Sequence, residues 1–148
     1  QGEMRWLRET PQCMYEDGQV HWRIAEGFIQ RWGATVDGDT VIQRSAIGID
    51  QAGTTLFVGI GNHTTAETIA RGMHHAGADS VAQLDVNFSY PKFVTFELGT
   101  AGSTPEKRMA VGLAEGFELS EDEYLRKPSQ RDFFYLIPAN PDRRTARK

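Results

Sequence analysis

The sequence predicts an α+β fold: a mostly antiparallel sheet with one main helix, about Thr65 to Ala76, packed on it. Short runs rich in β-branched residues, some with strict two-residue alternation, read as half-buried strands. Tight-turn sequences separate them, as antiparallel neighbours require. One segment carries a full set of helix signals. At 148 residues the chain fits one ordinary domain able to bury roughly 70% of its unfolded surface.

Residues 1–19 form a leading segment without a clear period, closed by an Asp17-Gly18 turn. Val20 to Ile24 alternates, with Val20, Trp22 and Ile24 on one face and His21 and Arg23 on the other, and is expected to be a strand. Gly27 interrupts it. Phe28 to Trp32 is a second short strand, and Asp37-Gly38 a tight turn before Thr40. Thr40 to Ile49 is a strand in which Arg44 is the lone charge, and Asp50-Gln51-Ala52-Gly53 turns it back onto an antiparallel partner, Thr55 to Ile60.

The helix opens on Thr64 and Glu67 in capping-box spacing. It carries an apolar stripe of Ala66, Ile69, Ala70, Met73 and Ala76, and Gly77 is placed to end it with a positive φ. Ser80 to Val86 and Phe93 to Leu98 follow as strands around a polar and aromatic loop, Asn87 to Lys92. Gly99 to Pro105 reads as a surface loop, and Gly112 to Tyr124 as an acidic solvated face or short helix. Phe133 to Ile137 is expected to be a late strand closing the sheet, which makes 20–138 the domain and 139–148 a basic tail.

Charge and composition exclude several functions. With 16 basic and 20 acidic residues mixed along the chain and a net charge of -4, there is no electrostatic footprint for nucleic acid. The cluster of Arg143, Arg144, Arg147 and Lys148 reads as a solvated terminus. No run approaches the roughly 18 apolar residues of a membrane span. Cys13 is the single cysteine, so no internal disulfide or thiolate metal cluster forms within this chain.

Asp85 ends an apolar strand and leads into a loop with Asn87 and Ser89, a place where a rigid scaffold holds functional groups. Its carboxylate either works on a ligand or caps the loop through an Asx-type turn. Arg44, in a mostly apolar strand, either snorkels to solvent or points into a polar pocket where its planar fork holds a phosphate or carboxylate. Together these groups suit an anionic, hydroxyl-rich ligand. His63 lies beside the helix start, where the amides at Thr64 can hold an anion. His74 and His75 are adjacent, about 100° apart around a helix, and cannot share one metal-binding face. Gly59-Ile60-Gly61 lacks the further glycine of a dinucleotide fingerprint.

The run Arg44-Ser45-Ala46-Ile47-Gly48, the strand ending at Gly61, Thr64-Thr65 opening the helix, Gly77-Ala78-Asp79 and Leu84-Asp85 resemble, in order and spacing, the phosphodiester glycosidase family. That family includes the uncovering enzyme, which removes N-acetylglucosamine from a sugar phosphodiester. The likeness covers about Gly27 to Phe96. It implies a hydrolase of sugar-1-phosphodiesters or related linkages in cell-surface or exported glycoconjugates, working outside the cytoplasm. Asp85 would activate water or stabilise the oxocarbenium-like centre, and Arg44 would hold the phosphate oxygens. Asn87 and Ser89 would bind sugar hydroxyls or the same phosphate, with His63, Thr64 and Tyr90 beside them. The resemblance fixes no cofactor, and a divalent cation bridging Asp85 and phosphate is compatible with the chemistry.

Two departures qualify the likeness. The family's Leu-Asp-Gly-Gly-Gly-Ser is Leu84-Asp85-Val86-Asn87-Phe88-Ser89 here, with bulkier side chains replacing three glycines. The rival expectation is therefore a non-catalytic carbohydrate-binding or assembly domain, with Phe88, Tyr90 and Phe93 as stacking faces. The family's upstream Asn-Gly-Gly-Phe strand also has no counterpart, so the chain is expected to match the C-terminal half of the family domain. Its partners are then a glycan or sugar phosphodiester and, for the fold, a second copy in a homo-oligomer or an N-terminal fragment.

Overall fold

The computed structural model describes residues 13–25, 39–87, 89–97, 109–113, 117 and 134–136. Four strands and a two-residue fifth make one antiparallel sheet: β1 (Cys13–Glu16), β2 (Gln19–Val20), β3 (Ile42–Ile49), β4 (Leu56–Thr64) and β5 (Ser80–Val86), in the order β2-β1-β5-β3-β4. A short helix, α1 (Trp22–Ala25), follows β2, and the main helix, α2 (Ala66–His75), joins β4 to β5. Because β4 and β5 flank β3 on opposite sides, their connection has to cross β3, and α2 is that crossing. The expected α+β architecture, with one main helix on an antiparallel sheet, is what the chain adopts.

The core lies between α2 and the sheet. Ala66, Ile69, Ala70 and Met73 are buried from the helix, against Met14, Tyr15, Ala46, Ala78 and Val81. Ala76 departs from the predicted stripe: it is the exposed C-cap, and the buried alanine is Ala78. The helix ends as predicted at Gly77, with φ +114°. Gly77 donates to the His74 carbonyl and Ala78 to that of Met73, the paired bonds of a Schellman motif.

Where this return meets the sheet, the strand has to be glycine. A Cβ on Gly48 would lie 2.8 Å from Ala78 Cβ and 3.0 Å from the Ser80 carbonyl, neither of which is the end of a flexible side chain. Gly48→Ala is expected to destabilise the fold by about 2 kcal/mol. Urea unfolding checks this; an unchanged midpoint would mean that the helix return is not tightly packed.

The β3–β4 turn is tied by one carboxylate. Asp50 Oδ1 accepts from the Thr54 and Thr55 amides at 2.7 and 3.0 Å, and Oδ2 accepts from Thr54 Oγ1 at 2.7 Å. The Thr55 amide and then the Thr54 hydroxyl hold its pKa down, from 3.8 to about 2. A depressed folded-state value means that the ionised form contributes stability above about 3.8, and that this contribution vanishes as the pH falls toward about 2. Asp50→Asn is therefore expected to flatten the acid dependence of the denaturation midpoint across that window. Equally steep profiles for the two proteins would contradict it.

Three expectations need correction, and one expected strand lies outside the main sheet. Val20 to Ile24 is not a strand: the ladder ends with His21 donating to the Met14 carbonyl, after which Ile24 donates to the His21 carbonyl and a helical turn begins. Trp22 is 52% exposed while Ile24 is buried, so the alternation did not mark one face. The helix cap is Thr65, which accepts from the Thr68 amide, because β4 runs on past Ile60 to Thr64. Phe93 to Leu98 contributes β6 (Val94–Glu97), which pairs not with the main sheet but with β7 (Met109–Gly112) in a separate two-stranded ribbon. Phe134, Tyr135 and Leu136 are exposed and outside regular structure, so they do not close the sheet.

The leading segment adds one unforeseen strand and keeps its predicted turn. Residues Cys13–Glu16 are a strand seated between β2 and β5, and Asp17-Gly18 is the predicted turn, with both residues at positive φ. The expected strand over 28–32, the Asp37-Gly38 turn and most of the acidic stretch lie outside the described residues.

Candidate functional site

β3 carries three consecutive polar residues, Gln43, Arg44 and Ser45, and all three are buried. On both sides of them the sheet is irregular. Ala46 pairs with Gln83 but Arg44 with Val86, so Leu84 and Asp85 together oppose Ser45. Likewise Arg44 pairs with Gly61 but Ile42 with Thr64, so Asn62 and His63 together oppose Gln43. Each is a β-bulge, one extra residue that bends its strand and re-aims a side chain. Two bulges thus flank one arginine at the same end of the sheet.

Side chains stitch this end together. Ser45 Oγ donates to the Asp85 carbonyl at 2.9 Å, across 40 residues of sequence. Gln43 Nε2 donates to Asn62 Oδ1 at 2.7 Å, while the Gln43 carbonyl accepts from the Asn87 amide at 3.1 Å. Asn87 Oδ1 in turn accepts from the Ser89 amide at 2.9 Å and the Ser89 hydroxyl at 3.1 Å. The Asx turn of this loop is therefore built by Asn87, and Asp85 is left with its side chain exposed.

Arg44 behaves otherwise. It is 0% exposed, and its neighbours on the same face of β3, Ala46 and Gly48, lie under α2. Its Nε donates to the Thr64 carbonyl at 3.1 Å and a terminal nitrogen donates to the Thr40 carbonyl at 3.0 Å. The planar fork thus spans two main-chain acceptors and ties the helix start to the approach to β3. Arg44 and Asp85 do not present charge to a common solvent-facing surface.

The other candidates fall around this centre. His63 is exposed within the β4 bulge, and Thr64, the last residue of β4, donates its hydroxyl to the Thr65 carbonyl at 3.3 Å. Tyr90 is 42% exposed next to the fully buried Pro91. Phe88 lies outside the described residues. Asp85, Asn87, Ser89 and His63 are brought to one sheet end together with Gln43, Ser45 and Asn62, which sequence reasoning passed over. The signal was there: a run of three polar residues in a strand of β-branched ones. The bulges that give the run its meaning are long-range pairings.

An open depression of about 830 Å³ lies elsewhere, between the β1–β2 hairpin and α2, and contains none of these residues. Two of its polar side chains have partners within the chain. Arg71 is paired with Glu67 at 2.8 Å, and the His74 ring stacks on Tyr15 at 4.2 Å with Nδ1 against the Ala78 carbonyl at 3.1 Å. Burial and then Glu16 push the Cys13 thiol pKa up, which keeps it protonated and unsuited to nucleophilic work. Burial and then Arg23 lower that of His21, whose Nδ1 accepts from the Arg23 amide.

Among the described residues no three His, Cys, Asp or Glu side chains gather to hold a metal ion, and no helix is long and apolar enough to cross a membrane. Comparison with protein families, with curated proteins and with solved structures finds no match.

Proposed function

We propose that the chain is a glycosidase hydrolysing a sugar-1-phosphodiester, or a related linkage in exported or cell-surface glycoconjugates, with Asp85 as its working carboxylate. The observation that carries this reading is the pair of bulges around Arg44. The one on β5 joins the two halves of the motif resemblance, Arg44-Ser45 and Leu84-Asp85, with the 2.9 Å bond from Ser45, and the one on β4 brings Asn62 and His63 beside Gln43. Bulges concentrate next to active sites because they re-aim side chains.

The chemistry asks little of the protein at the leaving group. A phosphomonoester is already a weak base and departs without a dedicated acid, so one carboxylate can activate water or stabilise the oxocarbenium-like centre. Asp85 takes that part. Asn87, whose oxygen is committed to Ser89, offers its amide NH₂ to sugar hydroxyls or phosphate, and His63 and Tyr90 border the same end. Arg44 acts as a positioning residue: buried on main-chain carbonyls, it fixes the strand between the bulges. A single carboxylate is a poor cation site, so no step is assigned to a metal.

The burial of Arg44 also favours a second reading, a carbohydrate-binding domain without turnover, because the phosphate then has to be held by other groups. Incubation with a synthetic sugar-1-phosphodiester separates the two. Release of free sugar and phosphomonoester supports the hydrolase; saturable binding with no release supports the binding domain and rejects catalysis.

A further inference from the structure

Among the described residues β4 is one edge of the main sheet, and its outer backbone groups follow from the bonds of its neighbour. The Ile49 and Gln43 carbonyls accept from Asp79 and Asn87, on the β5 side, whereas Asp50 donates across to Thr55. Alternation then turns Ala46 and Gly48 toward β4, and their partners Gly59 and Phe57 toward β3. Leu56, Val58 and Ile60 are left with N–H and C=O groups directed outward, away from the sheet. The same three side chains lie on the face opposite α2, beside Ile49, Ile47 and Ser45 respectively.

We infer that β4 pairs with β4 of a second copy of this chain, antiparallel about a two-fold axis at Val58. The register is self-complementary. Val58 falls opposite its own copy, and Leu56 opposite Ile60, so apolar side chains meet apolar ones and the outward donors and acceptors exchange bonds. On the α2 side Phe57 falls opposite Gly59, and both positions stay covered within each copy, Phe57 by its own core and Gly59 by Met73. From Thr54 to Thr64 the edge carries no Lys, Arg, Asp, Glu or Pro, the residues by which proteins ordinarily block such pairing. The pairing also extends the apolar face, on which Ile49 and Leu56 are 41% and 45% exposed. A second copy fits better than an unrelated peptide because the outward-bonding residues Leu56, Val58 and Ile60 are branched and apolar in the same order read from either end.

Light scattering and sedimentation equilibrium on the whole chain test the inference, with the mass of two chains expected. Val58→Pro removes only an outward-facing N–H, sparing the β3–β4 ladder, and is expected to give the mass of one chain with an unchanged circular dichroism spectrum. As an independent arm, Val58→Cys in a Cys13→Ser background should oxidise to a covalent dimer. Residues paired in this way lie about 5.5 Å apart at Cα, within disulfide reach. Trp22→Cys in the same background, exposed but off the edge, should not. A one-chain mass for the wild type wherever it is soluble, a co-purifying foreign peptide, a two-chain mass for folded Val58→Pro, or no cross-linking of the Val58→Cys variant would each overturn it.

Discussion

Asp85→Asn is expected to lower the turnover of a sugar-1-phosphodiester by about 100-fold or more while leaving the far-ultraviolet circular dichroism spectrum and the melting temperature as they are. The separation of the two effects follows from how Asp85 is held. Its main-chain carbonyl takes the bond from Ser45, whereas its carboxylate stands exposed. Asparagine keeps the carbonyl, the shape and the bulge, and removes only the charge that makes water nucleophilic or opposes a growing positive centre. Steady-state kinetics on refolded, spectroscopically checked protein is the measurement. Near-wild-type turnover would remove Asp85 from the chemistry.

Arg44→Lys is expected to behave in the opposite way, costing stability first. The arginine spans the Thr64 and Thr40 carbonyls with two separate nitrogens of a rigid plane, and it is completely buried. A lysine ammonium is a single point and a more strongly hydrated one, so it cannot satisfy both acceptors from one position. Losing one hydrogen bond from this buried, charged donor costs about 2 kcal/mol. Urea titration should show the loss as a lower midpoint, with turnover of the folded fraction falling as the bulges lose their anchor. A wild-type midpoint would mean that the guanidinium fork is not what joins the helix start to β3.

Much of the scaffold was legible because its signals are local. The β3–β4 hairpin followed from β-branched residues on either side of Asp50-Gln51-Ala52-Gly53, and α2 from an apolar stripe that ends at Gly77. Where neighbouring residues share the same chemistry, sequence alone could not choose: Thr64 and Thr65 are both competent caps, and the length of β4 decided for Thr65. Val20, Trp22 and Ile24 alternate like one strand, yet the ladder ends after Val20 with the bond from His21 to Met14, and Trp22 and Ile24 lie in the helical turn that follows.

The site was legible in its chemistry and hidden in its geometry. Asp85, Asn87 and Ser89 could be picked out at a strand end, and Arg44 as the one charge in its strand. Nothing in the spacing of residues says that Leu84-Asp85 faces Ser45 as a pair, or that Asn62-His63 does the same to Gln43. Those are register shifts between strands far apart in sequence. The same pairing decides that the guanidinium of Arg44 is buried toward main-chain carbonyls while the carboxylate of Asp85 is open.

The measurement that bears most directly on this account is a titration of isotopically labelled protein with a sugar-1-phosphodiester, followed by the backbone amide resonances. The two-bulge site predicts saturable shifts concentrated at Ser45, Asn62, His63, Asp85, Asn87 and Ser89, with the α2 residues Arg71, His74 and His75 unmoved. Shifts gathered instead at the depression beside Tyr15 and His74, or none at all at saturating ligand, would contradict it.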